Sequence, residues 1–216
     1  MRILVTAGGT REYIDPVRFI SNASSGRMGY ALARAALRAG HKVTLITAPT
    51  ALKPPAGATV VRVQTAAEMF EAVKKQFPRC DCLIMVAAVS DYTPVKPSGT
   101  KLKKQAAKMT LELKPTPDIL KWAGSQRRVG SAHHHPKIIV GFALEDRDLR
   151  ANAERKMREK RLDMIIANTP GAIGAEASTL HIKSAGSGWI EIGHARKARS
   201  AHRIIRLVET LKQRSE

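Results

Sequence analysis

The sequence predicts an α/β fold: a Rossmann-like, mostly parallel sheet with helices on both faces, followed by a C-terminal β-hairpin and a closing helix. Three observations carry this. Short β-rich apolar runs alternate with amphipathic stretches along much of the chain, the pattern of strands linked by crossover helices. Residues 82–87 are apolar without interruption, as a central strand covered on both faces must be. The first apolar run, Ile3-Leu4-Val5, ends in Thr6-Ala7-Gly8-Gly9-Thr10, a strand followed by a glycine turn.

Each element follows in order. After the first strand, residues 11–25 lack clean periodicity and read as a long loop, of a length that is usually functional inside a compact domain. Ser24-Ser25-Gly26 then caps a helix with Met28, Ala31, Leu32, Ala35 and Ala36 inward and Gly40 closing it. Residues 42–47 and 59–63 are the next strands. Residues 66–77 form an amphipathic helix with Met69, Phe70 and Val73 as its apolar face. Beyond the buried strand at 82–87, residues 90–105 are polar and read as a mobile loop. Residues 109–113 alternate as a strand, and Pro117-Asp118 starts a short helix through Trp122. Residues 124–135 look like a surface excursion. Residues 137–142 form another buried strand, 148–161 a helix, and 163–167 the last parallel strand. Residues 178–183 and 189–192 make the hairpin, and 195–212 the closing helix. The length suits a single domain over residues 1–216.

Composition narrows the class. The chain has 216 residues, 44% hydrophobic and 25% charged, which argues against disorder. No run approaches a membrane span, and residues 1–6 enter a strand rather than a leader, so a cytoplasmic protein is expected. Cys80 and Cys82 are too close to clip the chain and too few for zinc; buried packing is their expected role. Net charge is +19, which invites a nucleic-acid partner. The excess is spread over both halves, however, and aromatic content is 4%, so stacking platforms for single strands are poorly supplied. A solvated basic surface with a few phosphate-binding side chains fits better, and nucleic acid is disfavoured as a partner.

Five segments could carry chemistry, and each also has a purely structural reading. Gly8, Gly9 and Thr10 could bring backbone N–H groups to an anion, or form a plain turn; they match neither G-x-G-x-x-G nor a P-loop. Arg18, Asn22, Ser24, Ser25 and Gly26 precede a helix N-terminus that favours anions, though the serines could simply cap. Ala87-Ala88-Val89-Ser90-Asp91-Tyr92 lies at the C-terminal end of a central strand, where open α/β sheets bind ligands, though Asp91 could cap a turn. Lys101-Leu102-Lys103-Lys104 is a phosphate lid or a solvated loop. Gly141-Phe142-Ala143-Leu144-Glu145 is another strand end, followed by Lys156 and Lys160 on one helix face. His133-His134-His135 reads as a polar excursion rather than a metal site.

Taken together, these segments resemble the phosphopantothenate–cysteine ligases, also called phosphopantothenoylcysteine synthetases. In many bacteria that domain is the C-terminal half of a bifunctional coenzyme A biosynthesis protein. The matching stretches are 5–12, 14–26, 87–92, 101–104, Pro117-Asp118-Ile119 and 141–145, in the family's order. Ile20-Ser21-Asn22-Ala23-Ser24-Ser25-Gly26 is the most specific of them.

The resemblance implies an enzyme that joins 4′-phosphopantothenate to L-cysteine. A nucleoside triphosphate, CTP in most bacterial members, is attacked at its α-phosphate by the pantothenate carboxylate; CTP is the expected nucleotide here, with ATP as the alternative. An acyl nucleotide forms, and cysteine's amine then displaces the nucleotide. The family needs Mg2+, carried with the nucleotide and not expected on direct protein ligands. The resemblance places Lys101, Lys156 and Lys160 on the nucleotide, with Met85, Val86, Ala87, Asp91, Pro115, Thr116, Pro117, Asp118 and Phe142 in the cytidine and ribose pocket. It places Arg18, Asn22 and Ala87 on the pantothenate side, with Asn22, Lys101 and Arg18 as catalytic residues. It implies a homodimer and no membrane partner. Since the sequence starts at the synthetase segment, no flavin and no decarboxylase domain are expected. Ser90 and Leu144 stand where alanine is common in the family. An NAD(P)-dependent reductase would need a dinucleotide glycine motif with an acid about twenty residues on, and neither fits. A non-catalytic nucleic-acid module is the other alternative.

Overall fold

A computed structural model describes residues 1–104, 108–126 and 137–214. The chain opens with β1 (Arg2–Ala7), whose last five residues are buried. Residues expected to form a loop instead make a two-stranded hairpin, β2 (Arg11–Tyr13) and β3 (Phe19–Ser21). Its short strands lack the apolar alternation that marks a longer strand, and a buried Asp15 turns it. Helix α1 (Arg27–Arg38) follows, then β4 (Lys42–Thr47), β5 (Thr59–Arg62), α2 (Ala66–Gln76) and β6 (Cys82–Met85).

A second small hairpin pairs β7 (Tyr92–Pro94) with β8 (Leu113–Pro115). The strand expected over 109–113 therefore starts only at its last residue. The alternation there is that of an exposed segment, with Met109 59% exposed, and not of a sheet with a buried face. Helix α3 (Ile119–Ser125) is capped by Asp118, which accepts from the Lys121 N–H at 2.9 Å. It takes in Gly124 and Ser125, which the sequence had assigned to the surface excursion; residues 127–135 of that excursion, with His133–His135, lie outside the described residues. Gly124 is buried in α3 because the Lys160 carbonyl comes so close that no Cβ fits. The chain continues through β9 (Ile138–Leu144), α4 (Leu149–Glu159), β10 (Met164–Asn168), β11 (Ala177–Ser184), β12 (Trp189–Arg196) and α5 (Lys197–Gln213).

The main sheet has eight strands in the order β12-β11-β10-β9-β6-β1-β4-β5. Six run parallel; β11 is antiparallel to both β10 and β12, so the C-terminal hairpin extends the sheet instead of standing apart from it. Successive side chains of each strand enter opposite cores. Ile3 and Val5 pack with α1 and α5 on one face, while Leu4 packs with α2, α3 and α4 on the other. Both cysteines are buried and free, and burial pushes the Cys80 thiol up to about 11, which fits packing rather than reactivity.

Strand order reverses beside β1. The chain runs outward through β4 and β5, then crosses back to place β6 on the other side of β1. Open α/β sheets bind ligands in the crevice that such a reversal leaves at the strands' C-terminal ends. Among the described residues no helix is long and apolar enough to cross a membrane.

Candidate active site

The crevice is a cavity of about 850 Å³ at the C-terminal ends of β6, β9 and β10. Its floor is built by threonines. Thr6, fully buried at the end of β1, accepts from the backbone N–H groups of Val86 and Ala87, both at 3.1 Å. Thr10, equally buried, accepts from the Ser90 N–H at 2.9 Å. The backbone pairs again between these contacts, with Ala88 N–H on the Gly8 carbonyl at 2.9 Å and Thr10 N–H on the Ala88 carbonyl at 3.2 Å. Met85 to Ser90 is thus fastened to the segment after β1 and cannot drift as a free loop. Sequence reading left Thr6 and Thr10 without this role, because a buried threonine in a strand is ordinary until its hydroxyl partners are known.

Asn22, Ser24, Ser25 and Gly26 form one wall. Asn22 donates its side-chain amide to the Val89 carbonyl at 3.1 Å, which ties this loop across the cleft to the segment after β6. Neither serine caps α1. The N-cap is Gly26 itself, at φ +72°, with no side-chain hydrogen bond; Ser24 Oγ accepts only from the Gly26 N–H, at 3.4 Å. Gly26 itself holds the N-cap position, so neither serine stands where a capping hydroxyl is needed and the capping reading fails; the first turn of α1 lines the cavity. Gly8 and Gly9 sit under this loop instead of on the cavity surface. A Cβ on Gly9 would press on the Asn22 carbonyl at 2.8 Å, and one on Gly26 would meet Gly8 N at 3.3 Å. They permit the close approach of two backbones.

The opposite wall comes from Pro115 to Leu120 and Phe142 to Leu144. Asp91 and Thr116 lock these segments: Thr116 N–H donates to the Asp91 carbonyl at 2.9 Å, and its hydroxyl to the Ser90 carbonyl at 2.6 Å. Lys156 and Lys160 project from α4 and its C-terminus into the cavity. Each is already paired, Lys156 with Glu145 at 2.6 Å and Lys160 with Asp118 at 3.0 Å. Two further cations, Arg27 and Lys197, line the cavity where the sequence had marked no functional residue. Lys197 lies in the stretch read there as the closing helix. Burial lowers its affinity for a proton, and Arg27 lowers it further.

Arg18 and Lys101 stand outside the cavity lining. Arg18 is paired with Asp15 at 2.6 Å and donates to the Leu102 carbonyl at 2.5 Å; Asp15 also accepts from the Leu102 N–H at 3.1 Å. The lysine segment is therefore fastened at its root to the β2–β3 hairpin, with Lys101 exposed beside that anchor. Burial would raise the Asp15 carboxyl, but hydrogen bonds from Val17, Arg18 and Leu102 overcome this and hold it far below the usual carboxylate range.

Comparison with known proteins gives the family. Residues 1–211 match the family model described as the DNA/pantothenate metabolism flavoprotein C-terminal domain. The bifunctional coenzyme A biosynthesis protein CoaBC of Bacillus subtilis (strain 168) is 47% identical over 174 residues, covering 80% of this chain and 41% of the relative. Its counterpart in Mycobacterium tuberculosis (strain ATCC 25618 / H37Rv) is 39% identical over 223 residues, covering 97% of this chain and 52% of the relative. The chain thus spans about half or less of the length of these relatives. Among solved structures, the C-terminal domain of a CoaBC protein superposes with a TM-score of 0.82 at 36% identity, covering 98% of this chain and 95% of that one.

Proposed function

The chain belongs to the DNA/pantothenate metabolism flavoprotein C-terminal domain family, and from that premise we propose that it is a coenzyme A biosynthesis ligase joining 4′-phosphopantothenate to L-cysteine. The observation that carries the reading is convergence. Asn22, Met85, Val86, Ala87, Asp91, Pro115, Thr116, Pro117, Asp118, Phe142, Lys156 and Lys160 come from separate segments and line one cavity at the reversal of strand order. No feature favours a reductase or a nucleic-acid module over this.

In the proposed first step, a carboxylate oxygen of phosphopantothenate bonds to the α-phosphorus of CTP (or ATP). The bond to the bridging oxygen breaks, and pyrophosphate leaves. In the second, cysteine's amine attacks the acyl carbon, loses a proton, and expels the nucleoside monophosphate. The protein's share is positioning and charge. Thr6 presents the Met85 to Ala87 backbone to the nucleoside. Lys156 and Lys160 face its phosphates, and the Lys101 segment approaches from the hairpin. Asn22, held by Val89, orients the acyl group without ionising.

Magnesium would arrive on the phosphates and offset charge on the leaving pyrophosphate. Asp91 fits as a carboxylate facing it, since Asp118 is engaged by Lys160 and Asp91 has no ion pair among the described residues. Exposed Val17, Phe19, Tyr92 and Leu113 on the two small hairpins supply an apolar face for the proposed homodimer. The proposed setting is the cytoplasm. Mass spectrometry of a reaction holding phosphopantothenate, nucleotide, magnesium and cysteine tests the reading: the amide product is expected, and its absence with either nucleotide contradicts it.

A further inference from the structure

The two lysines that α4 and its C-terminus bring to the cavity are held by carboxylates in opposite ways. Lys160 is the enclosed member of its pair, with a side chain 25% exposed against 42% for Asp118. Asp118 itself lines the cavity and already caps α3. For Lys156 the arrangement is reversed: the lysine side chain is 36% exposed and that of Glu145 only 10%. Lys156 lines the cavity, whereas Glu145 is not among the lining residues. Glu145 therefore backs Lys156 from behind the cavity wall and sets no competing oxygen in front of it.

Glu145 is itself firmly placed. It follows β9 directly, and its N–H donates to the Asn168 carbonyl at 2.9 Å, where Leu144 pairs with Asn168 of β10. Its Oε1 is closed to solvent and makes no hydrogen bond among the described residues, which leaves the 2.6 Å ion pair with Lys156 as its compensation. An enclosed carboxylate is a weak device for stability, because taking it out of water offsets what the pair returns. It is an effective device for placing a flexible side chain. A lysine stem loses rotamer freedom when its ammonium is held at one point. Glu145 imposes that loss before any ligand arrives, and the ammonium keeps donors to spare for a phosphate.

We propose that Glu145 is a positioning residue of the nucleotide site: it fixes the Lys156 ammonium at the cavity wall, so that a triphosphate meets a cation already in place. Glu145 acts through Lys156 and touches neither the nucleotide nor the reacting atoms. The role rests on the ligase reading for the identity of the anion, while the geometry of the pair stands without it. The opposite role would be neutralisation, in which Glu145 weakens the pull of Lys156 on phosphate. An enclosed carboxylate behind an exposed ammonium favours positioning, and the two roles give opposite signs when Glu145 is removed.

The test uses the whole chain with Glu145→Gln, Lys156→Gln and their double variant, each first checked for folding by thermal unfolding. Calorimetric titration with CTP and magnesium, and with ATP and magnesium in a second arm, gives Kd without turnover. Glu145→Gln should weaken binding of the nucleotide that wild type takes by about fivefold or more, with the KM for phosphopantothenate within about twofold of wild type. In the double variant Kd should lie within about twofold of Lys156→Gln alone, because a residue that acts through the lysine has nothing left to place. A merely structural role would multiply the two losses and move the phosphopantothenate KM as well. Glu145→Gln that binds nucleotide as tightly as wild type or more tightly overturns the proposal, and so do losses that multiply in the double variant. If Glu145→Gln does not fold, Glu145→Asp, which keeps the charge but draws it back by a methylene, enters the same cycle under the same criteria. Amide formation by wild type decides the ligase reading separately. Wild type that shows the expected coupling in nucleotide binding but never forms the amide would retain the positioning role and refute the ligase reading; wild type that binds neither nucleotide overturns both.

Discussion

Asp15 and Arg18 are bound to each other by a 2.6 Å ion pair in which the carboxylate is wholly enclosed and the guanidinium is 43% exposed. The same pair grips both backbone polar groups of Leu102. One buried carboxylate thus links the β2–β3 hairpin to the lysine segment.

Its sign with pH follows. Asp15 has a folded pKa depressed below its unfolded value. It therefore contributes stability that is complete above the unfolded carboxylate range near pH ~4 and is lost as pH falls toward the folded value. Urea unfolding of wild type and Asp15→Asn should show the variant clearly less stable at pH 7, with the gap narrowing below about pH 4. A gap independent of pH would show that the charge on Asp15 does not matter.

The Leu102 amide is predicted to be protected from hydrogen exchange even without nucleotide, and to lose protection in Asp15→Asn. This revises a wholly mobile lid into one fastened at its root. Lys101→Gln should change stability by no more than about 0.5 kcal/mol while cutting nucleotide turnover severely. Fast exchange at Leu102 in the wild type would remove the anchor from the account.

Thr6→Val keeps the shape of the side chain but strands the Val86 and Ala87 N–H groups. Leaving buried donors unpaired costs about 1–3 kcal/mol. Thr6→Ser should recover most of that loss. Nucleotide affinity should fall in Thr6→Val together with stability, since the same segment lines the pocket. Equal stability of the valine and serine variants, measured by denaturant unfolding, would show the two N–H groups are satisfied elsewhere.

Much of this was readable from the residues, and the failures share a cause. The parallel strands were legible because burial on both faces leaves a continuous apolar signature, as in Cys82–Met85. Lys156 and Lys160 were legible as a pair because helical spacing puts them on one side. The β2–β3 hairpin was not, because three-residue strands carry too few positions for a period, and what fixes them is the Asp15 carboxylate. The role of Gly26 was hidden by two flanking serines that statistically favour capping. Arg27 and Lys197 are 170 positions apart in sequence, and only the adjacency of α1 and α5 makes them neighbours. A basic residue opening a helix that has no acid in its first turn was the available signal.

Asn22→Asp should separate the two half-reactions. A carboxylate there would repel the developing oxyanion and lose the amide donor, and one such donor is worth about 10²-fold in rate. The acyl nucleotide should accumulate while coupling to cysteine fails. Equal losses in pyrophosphate release and amide formation would remove Asn22 from the second step.

Charge is a further discriminator. Arg203→Gln with Arg206→Gln, both exposed on α5, should leave turnover nearly unchanged. Lys156→Gln with Lys160→Gln should raise the nucleotide KM about 10-fold or more, as expected for lost charge-assisted contacts to phosphate. Tight duplex binding near physiological salt, abolished by the α5 changes, would mean that the basic surface serves nucleic acid instead.

The central claim is best tested by pyrophosphate release. With phosphopantothenate, magnesium and either CTP or ATP but no cysteine, the account predicts release that depends on phosphopantothenate, with an acyl nucleotide building up. Adding cysteine should then discharge it to the amide and the nucleoside monophosphate. Folded protein that releases no phosphopantothenate-dependent pyrophosphate with either nucleotide would contradict the account.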